Sequence, residues 1–223
     1  MHVLTRGTRG VNIVRDVADR TQFLRSLYYL NDIYANDNWK RDIAPLGMFE
    51  RPSHWPEQEP LVNILAFTLM PNHFHLLLEE RTESGIAKFM QRLCGSMSKS
   101  FNKKYREKGS LFQSSYKGKT VAQDTYLRQL VWYILVKNTL DLYPGGINAA
   151  LTNFEEAWEW GLEYRFSSFG GSVTKTSSSV VADKEGLISN ICLSSSFKKD
   201  AKGFLKMHKF RSEELKVLAL EGW

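Results

Sequence analysis

LVNILAFTLMPNHFHLLLEE, residues 61–80, decides the fold. Its first ten residues are almost continuously apolar, the pattern of a strand covered on both faces. Pro71-Asn72 interrupts that run before HFHLLLEE resumes it. Proline lacks an N–H and asparagine suits turns, so the stretch predicts a tight antiparallel pair of strands. Alternate residues of the second strand share a face: His73, His75 and Leu77 on one side, Phe74, Leu76 and Leu78 on the other. Two imidazoles therefore stand side by side, their Cα atoms roughly 6.5 to 7 Å apart. At that spacing both rings converge on one divalent cation at about 2.0 to 2.2 Å, with positions left for a third ligand and a substrate oxygen. The competing reading is that each histidine is satisfied by its own core hydrogen bond or lies at an exposed strand end.

Working outward, HVLTRG (2–7) reads as a strand closed by Arg6-Gly7, and DRTQFLRSLYYLNDIY (19–34) as an amphipathic helix. Residues 36–60, with Pro45, Pro52, Pro56 and Pro60, form an irregular connection. Downstream, 84–109 is a long helix, apolar at its start and basic at its end, stopped by Gly109. SLFQSSYKGKTV (110–121) reads as a strand, and 122–140 as a second long helix capped by Asp124 or Thr125. The order β-α-β-β-α-β-α predicts an α+β fold: a ferredoxin-like antiparallel sheet with helices packed on one face. Beyond residue 140 the pattern predicts a helical extension (141–171), then a Ser-rich linker and a basic helical C-terminal tail (172–223).

The chain has 223 residues, 43% hydrophobic and 24% charged, which suits one main globular domain with extensions. No apolar run approaches the length of about eighteen residues that spans a bilayer, and no leader follows Met1, so the expected setting is the cytoplasm, away from membranes. Cys94 and Cys192 form neither a metal motif nor a disulfide framework. The net charge of +6 is concentrated: 99–109 holds Lys99, Lys103, Lys104, Arg106 and Lys108 against one acid, and 116–120 adds Lys117 and Lys119. Interleaved with Phe101, Tyr105, Phe112 and Tyr116, these residues fit a groove that tracks phosphates and stacks bases, against the alternative of a solvated helix face.

MPNHFHLLL resembles the metal-binding strand of the HUH nucleases, and among them the single-tyrosine transposases, including the REP-associated tyrosine transposases. HVLTRGTRGVNIVRDVADRTQFL, SKSFNKKYREKGSLFQSSYKGK and YLRQLVWYILVKN resemble successive blocks of that family, so the likeness runs from about residue 2 to 140, with a weaker echo in FEEAWEWGLEYRFSSF. The resemblance implies the HUH nuclease fold and a DNA strand cleaver and rejoiner, a monomer or homodimer acting on single-stranded or hairpin DNA. His73 and His75, with a polar residue of the tyrosine helix, would hold Mg²⁺ or Mn²⁺. A tyrosine would attack the scissile phosphate to give a 5′-phosphotyrosine and a free 3′-OH. That chemistry suits the residue types, because a phenol of pKa about 10 needs cationic help to react and the phosphodiester needs a Lewis acid.

In the family the tyrosine sits in YI-x-x-N or YI-x-x-Q, with the amide as third ligand. Tyr133-Ile134 matches the start, but position 137 is Lys and the amide follows as Asn138. On a regular helix, residues four apart lie about 40° from each other and residues five apart about 140°. Asn138 reaches the Tyr133 face only if the helix holds a π-bulge or ends earlier. Lys137, already on that face, is the residue to meet the phosphate or favour the phenolate. Tyr126, nearly two turns earlier, is the rival nucleophile. Arg6, Lys103, Lys104, Lys117 and Lys119 are the expected DNA-backbone contacts. Two other readings stay open: a domesticated nucleic-acid-binding regulator without turnover, and a metal-dependent hydrolase that activates water.

Overall fold

A computed structural model describes residues 1–208 together with Leu218 and Leu220. Strands β1 (His2–Arg6), β2 (Val62–Leu69), β3 (His73–Glu80) and β4 (Lys117–Lys119) form one antiparallel sheet in the order β2-β3-β1-β4. β4 is far shorter than the expected 110–121 strand. Gly109 at φ +94 turns the chain, and before β4 only an isolated bridge from Phe112 to Gly7 touches the sheet edge.

Helices α1 (Val17–Tyr29) and α3 (Gly85–Tyr105) cover one face of the sheet; the short α2 (Trp39–Asp42) lies between them in sequence. Phe23, Leu24, Leu27, Phe89, Met90 and Leu93 meet Val3, Phe67, Leu69, Phe74, Leu76 and Leu78 in this first core. The Asp16 carboxylate caps α1 by accepting from the Asp19 N–H at 2.9 Å. α3 stops at Tyr105, earlier than Gly109, because Arg106 takes the left-handed conformation at φ 56. A bulge between Ile64 and Ala66 lets β2 shift parity, so that Val62 and Ile64 before it and Phe67 and Leu69 after it all reach the same core.

The expectation of helices on one face holds for α1 and α3 only. The opposite face, which carries the histidines, is covered by a helix that runs continuously through α4 (Asp124–Val131), a π-helical stretch (Trp132–Lys137) and α5 (Asn138–Leu140). Leu127, Leu130, Val131, Ile134 and Leu135 pack there with Ala66 and Leu77. The same second core takes in residues from α6 (Gly146–Thr152), α7 (Phe154–Glu163), α8 (Phe169–Thr174), α9 (Leu187–Cys192) and α10 (Phe197–His208). This second core therefore holds residues from both sides of 140/141. The Ser-rich stretch 172–182 is not a free linker either. Val180 is buried in the first core, and the Ala182 N–H donates to the Ile64 carbonyl at 2.9 Å. Most of the C-terminal tail, 209–217, 219 and 221–223, lies outside the described residues. Among the described residues no helix is long and apolar enough to cross a membrane.

Candidate active site

The turn between β2 and β3 is locked to the end of β1. The Gly7 N–H donates to the Asn72 carbonyl at 2.8 Å and the Ile13 N–H to the Pro71 carbonyl at 2.8 Å. Gly7 is required by close approach, since a Cβ there would stand 2.2 Å from the Val11 carbonyl oxygen. This clamp fixes where His73 begins the strand.

The rings of His73 and His75 lie 5.1 Å apart and nearly perpendicular at 85°, on one face as the alternation predicts. The His73 Nδ1 is 2.6 Å from the Asn72 Oδ1. An amide oxygen only accepts, so Nδ1 carries the proton and the lone pair of His73 sits on Nε2. His75 is fully buried, with its Nδ1 2.9 Å from His2 Nε2 and its own Nε2 buried without a protein partner. The Tyr133 ring meets His75 edge-on, centroids 5.3 Å apart at 90°.

The π-helical stretch brings the tyrosine helix into this arrangement. The Asn138 N–H donates to the Tyr133 carbonyl, five residues back, so five residues make roughly one turn and the two side chains share a face. The distortion that the Tyr133 to Asn138 spacing demands is thus present. The Thr68 hydroxyl of β2 donates to the Ile134 carbonyl inside this stretch and ties it to the sheet. Asn138 is buried, and its Nδ2 has no partner; a half-turn of the amide presents the oxygen instead. Lys137 places Nζ 5.5 Å from the Tyr133 ring centroid and pairs with Asp141 at 2.5 Å.

Burial first, and neighbouring cations second, hold all three histidines neutral. His2 is pushed down to about 3, with the N-terminal ammonium and Lys119 adding to desolvation. His73 also falls to about 3, with Arg6 and Lys137 as the nearby charges. His75 lies well below its ordinary value, with His2, His73, Lys137 and Arg6 adding to burial. Neutral imidazoles are the form that binds metal. The sign of the stability effect follows. The unfolded chain takes up these protons below about pH 6.5 and the folded chain resists until about 3, so stability is full above that window and falls as pH drops through it. Urea unfolding of the metal-free protein should show a slope of about 1 kcal/mol per pH unit for each histidine between roughly pH 6 and 4. A flat profile there would mean the rings are not buried and neutral.

The expected DNA contacts divide between the two sides of the sheet. Lys117 and Lys119 pair in register with Leu4 and His2, on the histidine side, and Lys119 sets Nζ 4.5 Å from the ring centroid of Tyr126. Arg6 pairs in register with His73. Lys103 and Lys104 ride on α3, across the sheet. Lys103 lines a cleft of about 540 Å³ with Lys40, Arg92 and Lys99, whereas Lys104 is bound to Asp16 and Asp19 at 2.6 and 2.7 Å, so its charge is matched within the protein. Two of the aromatic residues between them are buried and so cannot stack on bases. Phe101 and Phe112 are core residues, and the Tyr105 hydroxyl donates to Asp19 Oδ2 at 2.6 Å. In α10, Lys198 and Lys202 pair with Glu155 of α7.

Sequence reasoning missed His2 and the polar role of Asn72. His2 is a lone histidine at a strand start, and only the β1–β3 register sets it beside His75. Asn72 was legible as a turn former but not as the partner of the next residue's ring.

A divalent cation fits the histidine pair by this chemistry: both rings are neutral with Nδ1 hydrogen-bonded, the His73 lone pair sits on Nε2, and the His75 Nε2 has no protein partner. Among the described residues no cluster of three or more His, Cys, Asp and Glu side chains is placed to hold a metal ion. Residues 57–136, which contain β2, β3, α3 and Tyr133, match the family model described as "Transposase IS200 like". Neither a curated protein nor a solved structure matches the chain.

Proposed function

We propose, from the match of residues 57–136 to the IS200-like transposase family model, that this chain is a DNA-binding, transposase-like protein that cleaves and rejoins single-stranded DNA through Tyr133 in a metal-dependent reaction on hairpin substrates. The observation that carries this reading is the buried His75 Nε2, an imidazole nitrogen without a protein partner, beside the Tyr133 ring. His73, His75 and Asn138 would hold Mg²⁺ or Mn²⁺, which when bound would supply Lewis-acid polarisation of the scissile phosphate.

Tyr133 Oη attacks phosphorus, forming the tyrosyl O–P bond while the P–O3′ bond breaks. The phenol gives up its proton and the departing 3′ oxygen gains one, so the products are a 5′-phosphotyrosine and a 3′-OH. The reverse attack by a 3′-OH reseals DNA without an external energy source. Lys137, beside the Tyr133 ring, stabilises negative charge on the phenolate and the phosphate. Arg6, Lys117 and Lys119 track the strand on the histidine side, which gives binding that weakens steeply with salt.

The test is incubation of the full-length protein with end-labelled single-stranded hairpin oligonucleotides and Mn²⁺, resolved on denaturing gels. A protein–DNA adduct that disappears with EDTA is expected. Binding without nicking would instead favour a regulator, and nicking without an adduct would favour attack by water.

A further inference from the structure

The bond between His2 and His75 has no part in the chemistry above, yet it joins two buried rings at the centre of the site. His2 pairs with Leu77 in the β1–β3 register and His75 with Leu4, so the two histidines are diagonal neighbours on one face. Their rings lie 5.2 Å apart and 23° from parallel, with His2 Nε2 2.9 Å from His75 Nδ1. We propose that His2 is a positioning residue: its Nε2 accepts from His75 Nδ1–H and so holds the His75 lone pair on Nε2, directed into the site.

The proton count allows two arrangements of this pair. A hydrogen bond between two ring nitrogens needs one N–H and one lone pair. If His2 donated, His75 would carry its proton on Nε2, leaving a buried N–H without an acceptor where a ligand is wanted. If His75 donates, Nε2 is a lone pair and the remaining N–H falls on His2 Nδ1, which is also buried without a protein partner; each arrangement leaves one N–H unmet, and only the second leaves a lone pair for a cation. His2 then does for His75 what Asn72 Oδ1 does for His73, and both rings offer the same nitrogen. His2 is fully buried, so its ring is held in place beside His75. Partners of this kind typically change metal affinity by about 10- to 100-fold.

This inference rests on the metal reading above, but its first test does not need the metal. In the metal-free wild-type protein, ¹⁵N NMR of the histidine rings should show His75 as the Nδ1–H tautomer; an Nε2–H form overturns the proposal. Mn²⁺ affinity, read from the EPR signal of free Mn²⁺, should fall about 10- to 100-fold in His2→Phe and return to within roughly threefold of wild type in His2→Gln, whose side-chain oxygen accepts in place of Nε2. His2→Phe that is folded by its amide spectrum and binds Mn²⁺ like wild type also overturns it. Should Phe prevent folding, the wild-type tautomer and the Gln variant decide. Wild-type protein that takes up no Mn²⁺ would sink the metal reading, and the tautomer would then judge His2 by itself.

Discussion

Replacing Tyr133 with Phe is expected to remove the protein–DNA adduct entirely and to slow strand cleavage on the order of 10³-fold or more, as loss of a covalent nucleophile does. Phe keeps the ring against His75 and under Lys137. The loss therefore reports the hydroxyl and not the packing of a residue only 2% exposed. Tyr126→Phe is the matched control. Its hydroxyl is buried without a partner, so removing it costs little stability, and cleavage should stay within roughly twofold of wild type. Adduct formation that survives Tyr133→Phe and disappears in Tyr126→Phe would reverse the assignment.

The second large effect belongs to His75. Its replacement by Ala takes away a ligand nitrogen and empties a fully buried position beside Tyr133. Metal-dependent cleavage should fall by more than the roughly 10- to 100-fold typical of a ligand's outer partner. Mn²⁺ binding, followed by EPR, should fall in parallel. Removing His73, which is partly exposed, tests the same ligand at a smaller packing cost. If both alanine variants fold and cleave at the wild-type rate in Mn²⁺, the paired imidazoles are structural and the nuclease reading fails.

Much of this arrangement was legible in the residues themselves. The apolar run 61–70, the Pro-Asn break and the alternation after it give β2, the turn and the face shared by His73 and His75. Periodicity gives α1 and α3, whose cores need little tertiary information. The strand expected over 110–121 shrank to three residues because Ser and Gly around it satisfy turn geometry as readily as pairing, and only the sheet edge decides between them. Which side of the sheet the tyrosine helix occupies was not legible, since its apolar residues suit either side. The aromatics of the basic segment misled for a related reason: Phe101 repeats with Met97 and Leu93 on the core face of α3, so its place in the sequence beside lysines says nothing of its neighbours in space. His2 needed the register that sets it beside a residue 73 positions away, information that no local window holds.

The π-helical stretch has a consequence for how such chains are compared. One extra residue, absorbed without breaking the helix axis, acts as a frame shift confined to three dimensions: every side chain beyond it is out of step with any ruler graduated in fours. The family match ends at residue 136, within that stretch. Lys137, not Asn138, therefore occupies the slot where a four-residue count looks for the amide, and alignments of related chains through this region need a one-position gap before function is read from the column.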